Sequence, residues 1–251
     1  MPTVARISIT PVKALALAHP DEVFLGPGGV PENRRFYLTD RGRLYSGGRY
    51  GRLFAVEPSY DAERDRLALR FPDGTVVDGV VETERAVTTN FWGRSVEGHV
   101  VRGPWAEALS DYVERSVRLV QTDVPGGGYD VHPATLVSDG SVAELGRRAG
   151  VGAVDARRFR MLFDLAGCEP HEEDGWKGRV VTIGEALVRV GGPIERCTVT
   201  TRDPDTGVPD LDTLAVIKRY RGMPRGTIDF GVYGTVERPG RVCVGDPVEL
   251  E

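Results

Sequence analysis

Three thiols, one acidic cluster around a histidine and three isolated cations are the side chains of this chain best suited to chemistry. Cys197 stands in Pro193-Ile194-Glu195-Arg196-Cys197-Thr198-Val199-Thr200-Thr201. A cation beside a thiol raises its thiolate fraction, and thiolate is a soft ligand for transition metals. Gly191-Gly192 and Pro193 end the strand before it, so the loop can present backbone N–H groups to an anion. The same residue can equally be a small apolar filler in a strand, and spacing does not separate the two. Cys243, between Val242 and Val244, reads as a packed core cysteine. Cys168 precedes Glu169-Pro170-His171-Glu172-Glu173-Asp174. Such a set can ligate metal, but no second ligand group follows at helical or hairpin spacing, so a solvated acidic loop is expected.

Lys13, Arg34 and Arg160 each lie near the end of an apolar run, where side chains can converge in a cleft. Arg suits phosphate through its bidentate fork, and Lys as a point charge. Each one alone is most often a surface residue. There is no Walker loop and no G-x-G-x-x-G after a strand. G-x-S-x-G and H-E-x-x-H are also absent, which removes two large hydrolase classes.

Bulk properties narrow the classes further. Lys and Arg number 32 against 37 Asp and Glu, a net charge of −5 with the signs interspersed, which does not resemble a nucleic-acid footprint. No long apolar run follows the N-terminus, so neither a signal peptide nor a membrane span is expected. Three cysteines without a CxxC pair suggest neither a disulfide framework nor a structural zinc site. A reduced, cytoplasmic setting is the simplest expectation.

The elements that must position these residues are mostly strands. Residues 6–10 alternate apolar and polar. Residues 35–45 turn at Asp40-Arg41-Gly42, and residues 67–77 at Pro72-Asp73-Gly74, so both read as hairpins. A helix is expected over 104–117, with Trp105, Leu109, Val113 and Val117 on one face and Pro104 at the first helical position. Pro125-Gly126-Gly127-Gly128 reads as the most flexible stretch, and divides 1–122 from 123–251. A second helix is expected from Ser141, capped by Ser141 with Glu144. Strands over 180–190, a short helix over 211–220 and a closing strand over 240–250 broken by a turn complete the chain. The expected fold is mainly β with a few helices, and the regular turn spacing favours a barrel or sandwich.

Several segments, in order, resemble the MOSC family. Thr10-Pro11-Val12-Lys13 resembles the "YPVK" strand that opens its N-terminal β-barrel domain. Asn33-Arg34-Arg35-Phe36 is similar to "GDRRW", and Tyr45 to Leu53 to the following "TQRQYPRL" segment. Arg158-Phe159-Arg160 resembles "RFRPN", at the entry to the MOSC domain proper, and the segment from Glu172 to Gly178 resembles "AEDxWxG". The segment from Arg196 to Gly207 resembles the "RCxxTTxDPxTG" signature. Phe230-Gly231-Val232-Tyr233 and Val244-Gly245-Asp246-Pro247-Val248 resemble the closing "FGxY" and "VGDPV" strands.

The resemblance implies an N-terminal β-barrel domain over 1–122 packed on a MOSC β-barrel domain over 123–251. It covers nearly the whole chain. In the family's amidoxime reducing components the signature cysteine ligates molybdenum, which implies Cys197 as metal ligand and catalytic anchor. Lys13, Arg34, Arg160, Glu195, Arg196 and Tyr233 are implied around the molybdenum cofactor. Four departures stand out: Ala14 for a serine, Asn33 for the aspartate of the "DRRW" motif, Met161-Leu162 for Pro-Asn, and Ile194 for a cysteine that some relatives carry. The implied activity is reduction of N-hydroxylated or N-oxide small molecules. Three scattered cysteines cannot hold an iron–sulfur cluster, so electrons must come from a separate protein. Two alternatives stay open: sulfur handling through a Cys197 persulfide or C–S chemistry, and a non-catalytic cofactor carrier. Neither nucleic acid nor membrane is an expected partner.

Overall fold

A computed structural model describes residues 1–45, 51–130 and 132–251. The first half holds β1 (Thr3–Ile7), β2 (Glu22–Leu25), β3 (Phe36–Asp40), β4 (Arg43–Leu44), β5 (Glu57–Asp61), β6 (Arg66–Arg70), β7 (Val76–Val80), β8 (Glu82–Phe91), β9 (Arg94–Arg102), α1 (Trp105–Val113) and β10 (Arg118–Thr122). The second half holds β11 (Ala134–Ser138), α2 (Asp139–Ala149), β12 (Phe163–Ala166), β13 (Val180–Ile183), β14 (Ala186–Glu195), α3 (Thr213–Arg221), β15 (Asp229–Arg238), β16 (Gly240–Cys243) and β17 (Val248–Leu250). The chain is mainly β, as its turn spacing implies, with three α-helices among the described residues.

Seven strands form one sheet in the order β1-β12-β11-β15-β14-β13-β17. Only β11 and β12 run parallel, because α2 supplies the crossover that a parallel pair requires. The two ends of the sheet meet: Val4 donates to the Asp246 carbonyl at 2.9 Å and Val248 donates to the Pro2 carbonyl at 2.9 Å. The sheet is thus nearly closed into a barrel. Its interior takes alternate residues, such as Ala186, Val188 and Val190 of β14, together with Val181, Ile183, Leu136 and Phe163.

A five-stranded sheet, β4-β3-β10-β9-β8, and a three-stranded sheet, β5-β6-β7, share a second core. That core contains Phe36, Leu38, Leu67, Leu69, Trp105 and Leu109. Sheet membership does not follow chain order. β1 pairs with β12 and β2 pairs with β16, so the first 25 residues are built into sheets of the second half.

The 40–42 and 72–74 turns form hairpins as expected, joining β3 to β4 and β6 to β7. Several local expectations need correction. The first strand lies three residues earlier than expected, because after Ser8 the chain leaves β12 and Ile9 pairs with Ala18 instead. The first helix stops at Val113, where Glu114 takes a left-handed conformation (φ 56°), and Val117 packs into the core from beyond it. Pro104 is its N-cap, not its first residue. The second helix starts at Asp139 and its cap is Ser138, whose hydroxyl accepts from Ser141 N–H at 3.1 Å. The Ser141 hydroxyl instead donates to Glu173 Oε1 at 2.7 Å. A fully buried carboxylate must find donors, and Ser138 gives it a second one at 2.7 Å.

The glycine run at 126–128 is buried and tightly packed rather than loose. A Cβ on Gly126 would meet the Val30 carbonyl at 2.7 Å, and one on Gly128 would strike the Arg34 carbonyl. Here glycine serves close backbone approach, not freedom. Cys243 is not a core cysteine: it is part-exposed and its thiol faces Glu22 Oε2 at 3.4 Å. Cys168, expected in a solvated loop, is 9% exposed and packs in the barrel core. Burial, then Glu172 and Glu173, push its thiol up to about 12. Residues 46–50 of the segment from Tyr45 to Leu53 lie outside the described residues.

Candidate functional site

The N-terminal segment 10–13 runs beside the start of β3, and the chemistry of the site begins there. Lys13 N–H donates to the Phe36 carbonyl at 2.8 Å, and Arg34 N–H to the Thr10 carbonyl at 2.6 Å. Asn33 fixes the same crossing, its Oδ1 accepting from Thr10 N–H at 3.0 Å. An amide oxygen does there what a carboxylate would, so the Asn at this position keeps the contact. The Lys13 side chain is buried, and its Nζ reaches the Gly128 carbonyl at 3.0 Å and Asp130 Oδ1 at 2.9 Å.

Arg34 and Arg160 complete a cationic cluster. Arg34 Nη2 donates to the Arg160 carbonyl at 3.2 Å. Arg160 Nη2 donates to the Leu15 carbonyl at 2.6 Å, and its guanidinium lies 4.8 Å from the Phe54 ring centroid. Its Nη1 is buried and has no hydrogen-bond partner among the described residues. Three cations thus gather around one carboxylate, Asp130. Burial lowers Lys13 to about 8, helped by Arg34 and Arg160 and opposed by Asp130. Burial, then Arg34, also pushes Arg160 downward, although a guanidinium stays charged. Burial pushes the Asp130 carboxyl up, but Lys13 and Arg34 outweigh it and hold the group well below the carboxylate range.

Backbone strain marks the same place. Among the described residues eight non-glycine ones have positive φ, and four of them are Ala14 (74°), Arg34 (53°), Trp92 (53°) and Arg160 (52°). Such conformations persist where surrounding contacts enforce them, and they cluster at functional sites. Trp92 belongs to the β8–β9 turn. Its indole N–H donates to Asp130 Oδ1 at 2.8 Å although the ring is 68% exposed. Arg94 of the same turn donates to the Gly127 carbonyl at 3.0 Å.

The thiol side of the site is built from β14, β15 and the segment 159–161. Cys197 follows β14, is exposed, and opens a 3-10 turn over Thr198–Thr201. It is therefore not the buried filler of a strand. Arg196 turns inward: Nε donates to the Phe230 carbonyl at 2.7 Å, Nη1 to the Phe159 carbonyl at 3.2 Å and Nη2 to Met161 Sδ at 2.8 Å. Burial lowers it to about 10. The thioether of Met161 thus serves as an acceptor for Arg196. Arg160 lies between Phe159 and Met161, so three consecutive residues tie the cation cluster to Arg196, between β14 and Cys197. Glu195 is exposed at the end of β14, opposite Asp229.

Tyr233 of β15 sits over Gly191, where a side chain would strike its ring. The ring also stacks on His132, with centroids 3.4 Å apart and planes 2° apart. Asp130, Trp92 and His132 were not singled out from the sequence, and no spacing rule would have found them. Arg158 was also missed. It is buried, donates to the Thr200 and Arg202 carbonyls at 3.1 and 3.0 Å, and forks onto Asp210. Arg157 forks onto Asp205 at 2.6 and 2.8 Å. Both hold the loop after Cys197. The paired basic residues before Phe159 were the available signal.

The cation cluster can bind an anion, and the segment 159–161 links it to Arg196, the neighbour of the exposed Cys197. The surplus of positive charge and the unmatched Arg160 donor fit a phosphate group. Among the described residues no group of three or more His, Cys, Asp or Glu could cage a metal. A metal at Cys197 would take one protein ligand and the rest from its cofactor. No helix among the described residues is long and apolar enough to cross a membrane.

Mitochondrial amidoxime reducing component 2 of Bos taurus is 35% identical, over 98% of this chain and 82% of its own. The same-named protein of Macaca fascicularis is 26% identical over equal shares. Mitochondrial amidoxime-reducing component 1 of Danio rerio is 34% identical, over 88% of this chain and 74% of its own. Among solved structures, the YUAD protein of Bacillus subtilis is similar at a TM-score of 0.48 and 14% identity, covering 100% of this chain and 96% of its own. The MOSC domain model matches residues 124–249. On the family-model match and the Bos taurus and Danio rerio relatives, the chain belongs to the MOSC domain family.

Proposed function

We propose that this protein holds a molybdenum cofactor and reduces N-hydroxylated or N-oxide small molecules with electrons from a separate protein. The observation that carries the reading is the Lys13–Arg34–Arg160 cluster around a single carboxylate, with Arg160 Nη1 left unmatched. Lys13, Arg34 and Arg160 would hold the cofactor's phosphate, and Cys197 would ligate the metal. Tyr233, stabilised by His132, would wall the pterin. Glu195 would stand at the rim. Arg196 acts through position: with its guanidinium on three acceptors of neighbouring segments, it fixes the backbone that presents Cys197.

When bound, the cofactor supplies two-electron redox chemistry. The overall reaction adds two electrons and two protons to an N–OH group, breaks the N–O bond and releases water. Cys197 is exposed, and would face the substrate with its thiolate on the metal. A cytoplasmic location belongs to the same reading, since a reactive thiolate needs a reducing compartment.

The test is metal content and turnover in protein made by a host that synthesises the cofactor. The wild type is expected to carry molybdenum and to reduce benzamidoxime with reduced methyl viologen. Cys197→Ser should lose most of both. Metal-free wild-type protein would overturn the reading, and a sulfur adduct on Cys197 in such protein would support sulfur handling instead.

A further inference from the structure

We propose that the C-terminal end of α3 and the turn after it form the docking surface for a small acidic one-electron carrier protein. The proposal rests on the reductase reading, because only a redox site needs such a partner. Residues 213–226 hold Lys218, Arg219, Arg221 and Arg225 and no acid, in a chain whose net charge is −5. Lys218 and Arg219 are exposed and have no ion pair among the described residues. Arg221 pairs with Asp174 at 2.6 Å and Arg225 with Asp229 at 2.9 Å, so the free charge sits at positions 218 and 219. On the neighbouring helix α2, Arg147 and Arg148 share a single acid, Glu144, which adds one more net positive charge.

The acids near the other end of α3 are engaged there, two by arginines and two by hydrogen-bond donors that leave their charge in place. Asp203 binds Thr206, Asp205 binds Arg157, Asp210 binds Arg158, and Asp212 caps the helix at Ala215 N–H. Cations in a last helical turn also complement the helix dipole. The dipole does not account for Met223, which is 40% exposed amid these charges, beyond the helix. An exposed methionine among cations matches the composition of interface centres.

Position gives the patch its purpose. The Thr213 and Thr200 hydroxyls meet at 2.8 Å, tying the start of α3 to the turn that follows Cys197. Arg196 N–H bonds the Ile228 carbonyl at 2.7 Å, and Arg225 Nη2 reaches the Pro193 carbonyl at 3.2 Å. The basic segment is therefore fastened at both ends to the backbone that carries exposed Cys197. A carrier steered onto Lys218 and Arg219 arrives beside the thiol side of the site, not at the buried cation cluster. Rim charges of this kind set association rate and salt dependence.

The experiment uses the cofactor-loaded protein and a plant-type [2Fe–2S] ferredoxin, an acidic carrier, as probe. The wild type is expected to bind ferredoxin at low salt and to release it at high salt. Lys218→Glu with Arg219→Glu should weaken that binding at least about tenfold. Turnover with reduced methyl viologen should stay unchanged, and Arg85→Glu on distant β8 should leave ferredoxin binding intact. Failure of the wild type to bind ferredoxin, equal losses in the Arg85→Glu control, or equal ferredoxin binding by the double variant would overturn the proposal. So would salt-sensitive binding of the wild type to phosphatidylglycerol vesicles alone, which would make the patch a membrane contact. Absence of viologen-driven turnover in the wild type is a separate result, and would sink the reductase reading itself.

Discussion

Lys13 is the residue whose charge state most directly couples to anion binding. Its folded value is about 8 and its ordinary value 10.5, so between these the unfolded chain binds more protons than the folded one. The contribution of Lys13 to the stability of the cofactor-free protein therefore rises as pH rises through that window. Phosphate stabilisation runs the opposite way. Asp130, Arg34 and Arg160 keep their charges, while the Lys13 ammonium is lost above about 8. Thermal midpoints with and without inorganic phosphate should converge as pH climbs from 8 to 10.5, and Lys13→Gln should remove that convergence. Of the site, Cys197, Lys13, Arg34 and Arg160 were legible through ordered motif matches. Asp130 and His132 were not, because their partners, Lys13 and Tyr233, lie more than a hundred residues away in the chain. Arg196 was legible as a neighbour of Cys197, but its inward turn depends on carbonyls that only tertiary structure supplies.

At the level of elements, two contacts hold the thiol strand. Gly231 in β15 has φ 69°, and a Cβ there would meet the Leu136 carbonyl at 2.7 Å and Met161 Cε at 2.8 Å. Gly231→Ala is expected to cost on the order of 2 kcal/mol, read as a lower urea midpoint. Arg158→Met removes charge-assisted bonds to the loop after Cys197. It should cost roughly 1.5–3 kcal/mol and open residues 203–211 to limited proteolysis. Unchanged cleavage would show that Arg157 alone holds the loop. The hairpins at 40–42 and 72–74 were legible because glycine turns punctuate alternating runs. β8 was not: Glu82-Thr83-Glu84-Arg85 is exposed along its length, so no apolar face announces a strand. The capping serine was misplaced because two serines three residues apart compete, and the buried Glu173 that decides between them lies 32 residues beyond Ser141.

For the whole molecule, the family match begins at residue 124, yet β1 and β2 complete the sheets of the second half. We propose that a fragment of residues 123–251 is not self-sufficient. Without β1, the barrel loses its contact between first and last strands and bares an edge at β12. The full chain should unfold in one transition that includes both sheets. The fragment should show no sharp calorimetric transition; a cooperative one would mean that β1 and β2 are accessories. The mainly β architecture was readable from turn spacing, but pairings between the first 25 residues and strands after 160 leave no local trace.

That interleaving has a consequence for how the chain is made. β2 emerges from the ribosome early, while its partner β16 begins at residue 240. At ~5–20 residues per second the gap between them is about ten to forty seconds. During that interval β3 to β10 can assemble their own core, whereas β1 and β2 wait with their hydrogen-bonding edges unsatisfied. Vectorial synthesis therefore leaves β1 and β2, which flank the segment that carries Lys13, among the last parts of the protein to be locked in place.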